Sequence, residues 1–304
     1  MVMENGAQPT QPVSTRAFAD YEWCIRSPAM IREAGPGVNC PTDAVWAEQP
    51  APFPNILPKP PDPHHFRLGH HFEALVGAWT QVSPSLTPVA NNLQVFAGKR
   101  TVGEFDLLVE QSGRVEHWEL AVKFYLAADH PDDPTRWFGP NTADRFDLKF
   151  ARMRDHQLQL SRHPRAIETL AVLGIRAPNV TAMVKGRLFH DFQRYIDAAW
   201  VYPDSVNPGH CRGWWLEQRH LARLLELGES FVWLPKSLWL APIAAGDSVV
   251  TLDLSDLRDC VAAAKTKPAE QFAVLDENGN ETSRGFIVSP SWISRTRRSD
   301  KPGA

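Results

Sequence analysis

Cysteine is scarce and scattered. The four residues Cys24, Cys40, Cys211 and Cys260 form no C-x-x-C pair and no short framework, which excludes a disulfide-stapled scaffold and fits a reduced compartment. Long apolar runs are missing too. No segment approaches the roughly 18 apolar residues of a membrane span, and Met1 to Arg16 lacks the apolar core of a signal peptide. The expectation is a cytoplasmic protein with no membrane partner. Nor is there an excess of one charge: 32 Lys and Arg face 35 Asp and Glu, for a net charge of -3. That rules out a uniformly basic nucleic-acid coat, although a cleft for a polyanion needs only a local cluster of Lys and Arg. No G-x-x-x-x-G-K-[ST] loop and no G-x-S-x-G elbow occurs, so P-loop NTPase and α/β-hydrolase chemistry are disfavoured. No internal repeat is visible.

What remains is an ordinary globular composition over 304 residues, 43% hydrophobic and 22% charged. Pro50, Pro52, Pro54, Pro58, Pro60, Pro61 and Pro63 crowd one stretch that sustains neither helix nor central strand. We therefore divide the chain into an N-terminal arm and linker (1–63), an α/β core (64–190) and a Trp-rich C-terminal extension (191–304). The arm carries one short helix from Phe18 to Arg26. In the core, Leu68, Phe72, Leu75, Val76 and Trp79 fall in one stripe, predicting a helix from Phe66 to Thr80. Strands follow at Leu93–Ala97, Thr101–Val109 and Val115–Leu126, the last two joined by a hairpin with its tip at Ser112-Gly113. A helix over Asp144–Ser161, a second after Pro164 and a strand from Val180 complete the core. A strand that returns after a helix rejoins its sheet by a right-handed crossover, so the fold class is α/β with a mixed central sheet flanked by helices. Beyond it the pattern gives a helix over Trp215–Leu227, strands near Val249, Phe272 and Phe286, and a basic, disordered tail from Arg295.

The hairpin carries the chemistry. Period-2 alternation puts Glu104, Asp106, Leu108 and Glu110 on one face of its first strand, and His117, Glu119, Ala121, Lys123 and Tyr125 on one face of its second. With a two-residue tip, Asp106 stands opposite Glu119, their Cβ atoms about 5 Å apart. Two ionised carboxylates at that separation repel unless a cation or a shared proton compensates. Mg²⁺ or Mn²⁺ is the natural occupant, because Mg²⁺ takes one or two carboxylates plus water and phosphate oxygens. A lysine beside it orients water or stabilises developing charge. Glu73 lies about 60° outside the edge of the first helix's apolar stripe, where its side chain can reach the rim of the sheet, and Gln157 is a polar residue in the buried row Phe146, Phe150, Met153, Gln157, Leu160. Arg145, Lys149, Arg152, Arg154, Arg162 and Arg165 make that later segment basic enough to track a phosphate backbone. His64, His65, His70 and His71 form a local patch without the i, i+4 pairing of a zinc site.

This constellation resembles the PD-(D/E)XK nuclease superfamily. Its core runs helix, three antiparallel strands, helix, strand, with an acid on the first helix, an acid on the second strand and (D/E)-x-K on the third. Glu73, Asp106, Glu119 and Lys123 stand at those places, and Gln157 resembles the helix glutamine of the RecB-like branch. More closely, the segments Arg67-Leu-Gly-His-His-Phe-Glu, Gly103-Glu-Phe-Asp-Leu-Leu-Val, His117-Trp-Glu-Leu-Ala-Val-Lys-Phe-Tyr-Leu, Lys185-Gly-Arg-Leu-Phe, Gly213-Trp-Trp and Arg284-Gly-Phe-Ile-Val are similar to the bacterial domain of unknown function family 1853, over Phe18 to Trp292. The resemblance implies a restriction-endonuclease-like core and a metal-dependent nuclease. In that reading Asp106, Glu119 and Glu73 serve the metal, Lys123 positions the nucleophile, and DNA or RNA is the substrate. The alternative is an inactive nuclease-fold module that binds nucleic acid or a protein partner. One departure stands out: Glu119 and Lys123 are four residues apart rather than two, which moves the lysine about 6.6 to 6.8 Å along the strand while keeping its face.

Overall fold

A hairpin that forks holds the architecture together. The computed structural model describes residues 15–41, 54, 57, 66–264 and 267–298; most of the proline-rich linker and the end of the basic tail lie outside them. In chain order the elements are α1 (Thr15–Arg26), β1 (Val38–Asn39), α2 (Leu68–Val82), β2 (Leu86–Ala97), β3 (Arg100–Gln111), β4 (Arg114–Ala127), β5 (Trp137–Phe138) and α3 (Phe146–Asp155). Next come a 3-10 segment (Gln157–Arg162), α4 (Pro164–Val172), β6 (Asn179–Asp191), α5 (Phe192–Ile196), β7 (Cys211–Glu217) and another 3-10 segment (Gln218–Glu226), with shorter 3-10 turns at Pro134–Arg136 and Lys236–Leu238. The chain continues with β8 (Ser230–Leu234), β9 (Thr251–Leu252), α6 (Leu254–Ala263), β10 (Ala269–Leu275), β11 (Glu281–Val288) and α7 (Pro290–Arg298).

The strands form one mixed sheet in the order β2-β3-β4-β6-β7-β11-β10-β8-β9, with β5 added on β4 and β1 on β6. The β3–β4 turn places Ser112 and Gly113 at φ 52° and 75°, the paired positive values of a tight hairpin whose twist matches its strands. β6 returns through α3 and α4 to lie parallel to β4 along Glu116–Leu126. β7 and β11 extend the parallel region, so strands from either side of residue 190 share one sheet.

Helix α2 buries Phe72, Leu75, Val76 and Trp79 against Leu107, Trp118 and Leu120. Each such side chain contributes roughly 1.5–3 kcal/mol. On the opposite face Tyr125, Ala121, Phe146, Met153 and Leu158 make a second cluster. No helix among the described residues is long and apolar enough to cross a membrane.

Several elements differ from the pattern-based expectation: β2 starts at Leu86 rather than Leu93, the strand expected near Val249 lies at Thr251–Leu252, and β8 and α6 were not expected. The helix expected over Asp144–Ser161 stops at Asp155, where His156 leaves helical geometry at φ -126°, ψ -62°, and continues as the 3-10 segment. The tighter turn lets both Leu158 and Leu160 reach the interior. Trp215, expected to open a helix, lies in β7. A parallel strand covered on both faces buries Trp214, Trp215 and Leu216 in succession, a run that periodicity cannot distinguish from a helix. The basic tail begins as helix, since α7 carries Arg295 to Arg298.

Gly186 fixes how β4 meets β6. It pairs with Lys123 at φ +136°, and a Cβ there would stand 1.8 Å from the Lys123 carbonyl oxygen. Gly186→Ala is therefore expected to cost more than about 3 kcal/mol in chemical denaturation; a loss under about 1 kcal/mol would show that the two strands do not approach in this way.

Candidate functional site

The β3–β4 ladder runs from Gln111↔Arg114 to Leu107↔Trp118 and ends there. Beyond it β3 stays with β2 down to Arg100, while β4 stays with β6. The strands splay, and the next backbone donor of β4 loses its sheet partner. Asp106 replaces it: its Oδ2 accepts the Leu120 N–H at 2.9 Å. A cleft of about 760 Å³ opens in the fork, bounded by Glu73 and Gly77 of α2, Asn91 of β2, Glu104 and Asp106 of β3 and Leu120 of β4.

Three of the sequence-derived residues converge here. Glu119 lies behind the cleft, 1% exposed, and Asp106 reaches it side chain to side chain. Glu73 faces both from α2, its carboxylate folded back over Gly69. Burial raises all three carboxyl groups; the charge of Asp106 raises Glu73 and Glu119 further, while Asp106 itself is drawn back by the Leu120 N–H and Lys149. Glu73 is pushed up to about 7, by burial first and then by Asp106 and Glu104. Asp106 and Glu119 titrate as one unit lying above the ordinary carboxylate range. Glu119 Oε2 is buried and accepts from no N–H or hydroxyl donor among the described residues. His117 Nε2 approaches it at 3.9 Å, but burial pushes that imidazole down to about 4. The contact is therefore not an ion pair near neutral pH.

Gln157 joins this group by donating from Nε2 to Glu119 Oε1. Its own Oε1 accepts from Lys149 Nζ at 2.9 Å. Lys149 thus enters from α3 as the ammonium of the cluster, with burial lowering its pKa and the charges of Glu119 and Asp106 raising it. Lys123 is held differently. Its Nζ donates to Asp144 Oδ2, and the same carboxylate accepts from Tyr125 Oη at 3.2 Å.

Sequence reasoning counted Lys149 only among the basic residues of its segment and gave Asp144 no role. A signal for Lys149 was present: it stands three residues after Phe146 and four before Met153, both buried, where a solvated lysine is unexpected. Much of the remaining basic run is spent on local pairs, Arg145 with Asp147, Arg154 with Asp155 and Arg165 with Glu168. Of the histidine patch, His71 is buried beside Asp20 and His70 lines the cleft; His64 and His65 lie outside the described residues. Among the described residues no three His, Cys, Asp or Glu side chains are grouped to hold a metal by themselves. Any cation in the fork must then complete its shell with water or ligand oxygens.

A family model described as "Domain of unknown function (DUF1853)" matches residues 19–288. No curated protein and no solved structure matches the chain.

A carboxyl group that holds its proton more tightly when folded stabilises the fold below its ordinary value, 4.5 for glutamate, and that stability is lost as the pH rises through the raised value. Glu119→Gln keeps the shape and cannot ionise. In metal-free buffer its melting temperature should exceed that of the wild type at about pH 8, with the excess shrinking toward about pH 4. A difference independent of pH would show that the pair does not titrate as described.

Proposed function

We propose that this chain, which belongs to the DUF1853 family, hydrolyses phosphodiester bonds of nucleic acid in the fork between β3 and β4. The observation that carries the reading is the convergence of Glu73, Asp106 and Glu119 with a single ammonium, Lys149, relayed through Gln157. The donor set fits a divalent cation. Asp106 and Glu119 offer two adjoining carboxyl groups that must share a proton when no cation lies between them, and Glu119 Oε2 accepts from no N–H or hydroxyl donor among the described residues. Held there by Asp106 and Glu119, Mg²⁺ or Mn²⁺ would supply Lewis-acid polarisation of a phosphoryl oxygen and a more acidic water.

The chain's own groups have distinct parts. Glu73, with its pKa raised to about 7, is matched to accepting a proton from an attacking water near neutral pH. Lys149, held on Gln157 behind the cleft, supplies the positive charge to offset what builds on the phosphoryl oxygens. Gln157 is a positioning residue, orienting Lys149 and Glu119 together. A restriction-endonuclease-like core of the PD-(D/E)XK kind accounts for the same arrangement, with its lysine supplied from the helix rather than from the strand. The pairing of Lys123 with Asp144 favours a second reading, an inactive module that binds nucleic acid or a protein partner.

Incubation of the protein with single- and double-stranded DNA and RNA in Mg²⁺, Mn²⁺ or EDTA tests both. Metal-dependent cleavage is expected, falling by about 100-fold or more in Asp106→Asn, Glu119→Gln and Lys149→Met. Lys123→Met should stay within about tenfold of wild type. The reverse order of the two lysine variants would return the ammonium role to Lys123. A folded wild type that cleaves nothing would leave the binding module.

A further inference from the structure

A second cleft, of about 650 Å³, follows the first along β4: Leu120 lines the fork, and Val122, two residues on with its side chain on the same face, lines this groove. The two clefts also share α2, whose Glu73 borders one and Leu68 the other. The groove's walls are aromatic and its rim is basic. Trp239 stacks edge-to-face on Phe124 with ring centroids 5.1 Å apart. Trp233 is 38% exposed although its strand neighbours Val232 and Leu234 are each 1% exposed. Its indole is held in place by a 2.6 Å hydrogen bond from Nε1 to Glu270 Oε2, and the Lys267 ammonium lies 5.5 Å from the ring centroid. Two acids belong to the lining, but each already holds a lysine, Asp144 with Lys123 and Glu270 with Lys267. Lys236 and Arg67, both exposed, line the groove with no carboxylate partner among the described residues, so the uncompensated charge of the groove is positive.

We infer that this groove binds single-stranded nucleic acid, a base stacking on Trp233 while Lys236 and Arg67 meet the backbone phosphates. The inference rests on the phosphodiesterase reading of the fork and names its substrate. A partly exposed indole, with Lys267 over one face, beside cations that no described carboxylate neutralises offers stacking and charge together, the combination that holds single strands without sequence preference. A duplex keeps its bases stacked internally and has no face to give the indole.

The test measures fluorescence anisotropy of labelled oligo-dT and oligo-U of about 12 nucleotides, and of a duplex, with the full chain in EDTA so that cleavage is not required. Wild type should bind both single strands more tightly than the duplex. Trp233→Ala should weaken binding by about tenfold or more, and Trp233→Phe, which keeps a stacking face, should restore most of it. Lys236→Glu should lower the slope of log affinity against log salt by about 0.7 for each phosphate contact removed. Arg114→Glu, at the hairpin tip away from the groove, should change neither. Wild-type affinity in Trp233→Ala, equal binding of the duplex, or no binding of either oligonucleotide would overturn the inference. Groove-dependent binding without cleavage in Mg²⁺ would uphold it and remove the catalytic reading instead.

Discussion

The arrangement depends on one hydrogen bond that a side chain makes in place of a backbone. β4 is paired with β6 along nearly its whole length, which fixes its course, but on its other edge it loses β3 after Trp118 and gains β5 only at Leu126. An open strand edge inside a protein leaves polar groups that must be satisfied. Asp106 satisfies the first of them through the Leu120 N–H, and doing so draws its carboxylate into the interior beside Glu119. The gap in the sheet and the acid that lines it have the same cause.

Placing these acids together is unfavourable for folding. Three carboxyl groups share one ammonium, and the nearest other lysine on β4 is neutralised by Asp144. Burial holds protons on the acids beyond their ordinary range, and one oxygen of Glu119 meets no N–H or hydroxyl donor among the described residues. Structural needs alone would be better served by apolar residues at these positions, since a buried, incompletely paired charge cluster destabilises. Such clusters persist where function requires them.

Much of this was legible in the sequence, and the exceptions have physical causes. The α2 stripe, the Ser112-Gly113 tip and the alternation of β3 and β4 are local, and local rules describe them well. The fork is not local: the register that sets Asp106 opposite Glu119 continues an ideal ladder, whereas the strands separate one pair earlier and the carboxylates meet through their side chains. Trp215 read as helical because β7 is covered on both faces. Gln157 was found, but on a segment whose helix ends before it, and Lys149 was passed over because a basic run looks the same whether it faces water or the core.

The two lysines show why face and reach must be separated. Parity puts Lys123 on the same face of β4 as Glu119, but four residues of extended chain place their Cα atoms about 13 Å apart, so Lys123 stands closer to Asp144, reached from the loop before α3. Lys149 comes from a helix crossing over that face, where distance is set by packing rather than by strand rise, and Gln157 fixes its ammonium relative to Glu119. A crossing helix can bring a cation to a strand carboxylate that a lysine four residues along the same strand cannot approach. Spacing along the chain is therefore a poor guide to which lysine serves this site, and contact through Gln157 is a better one.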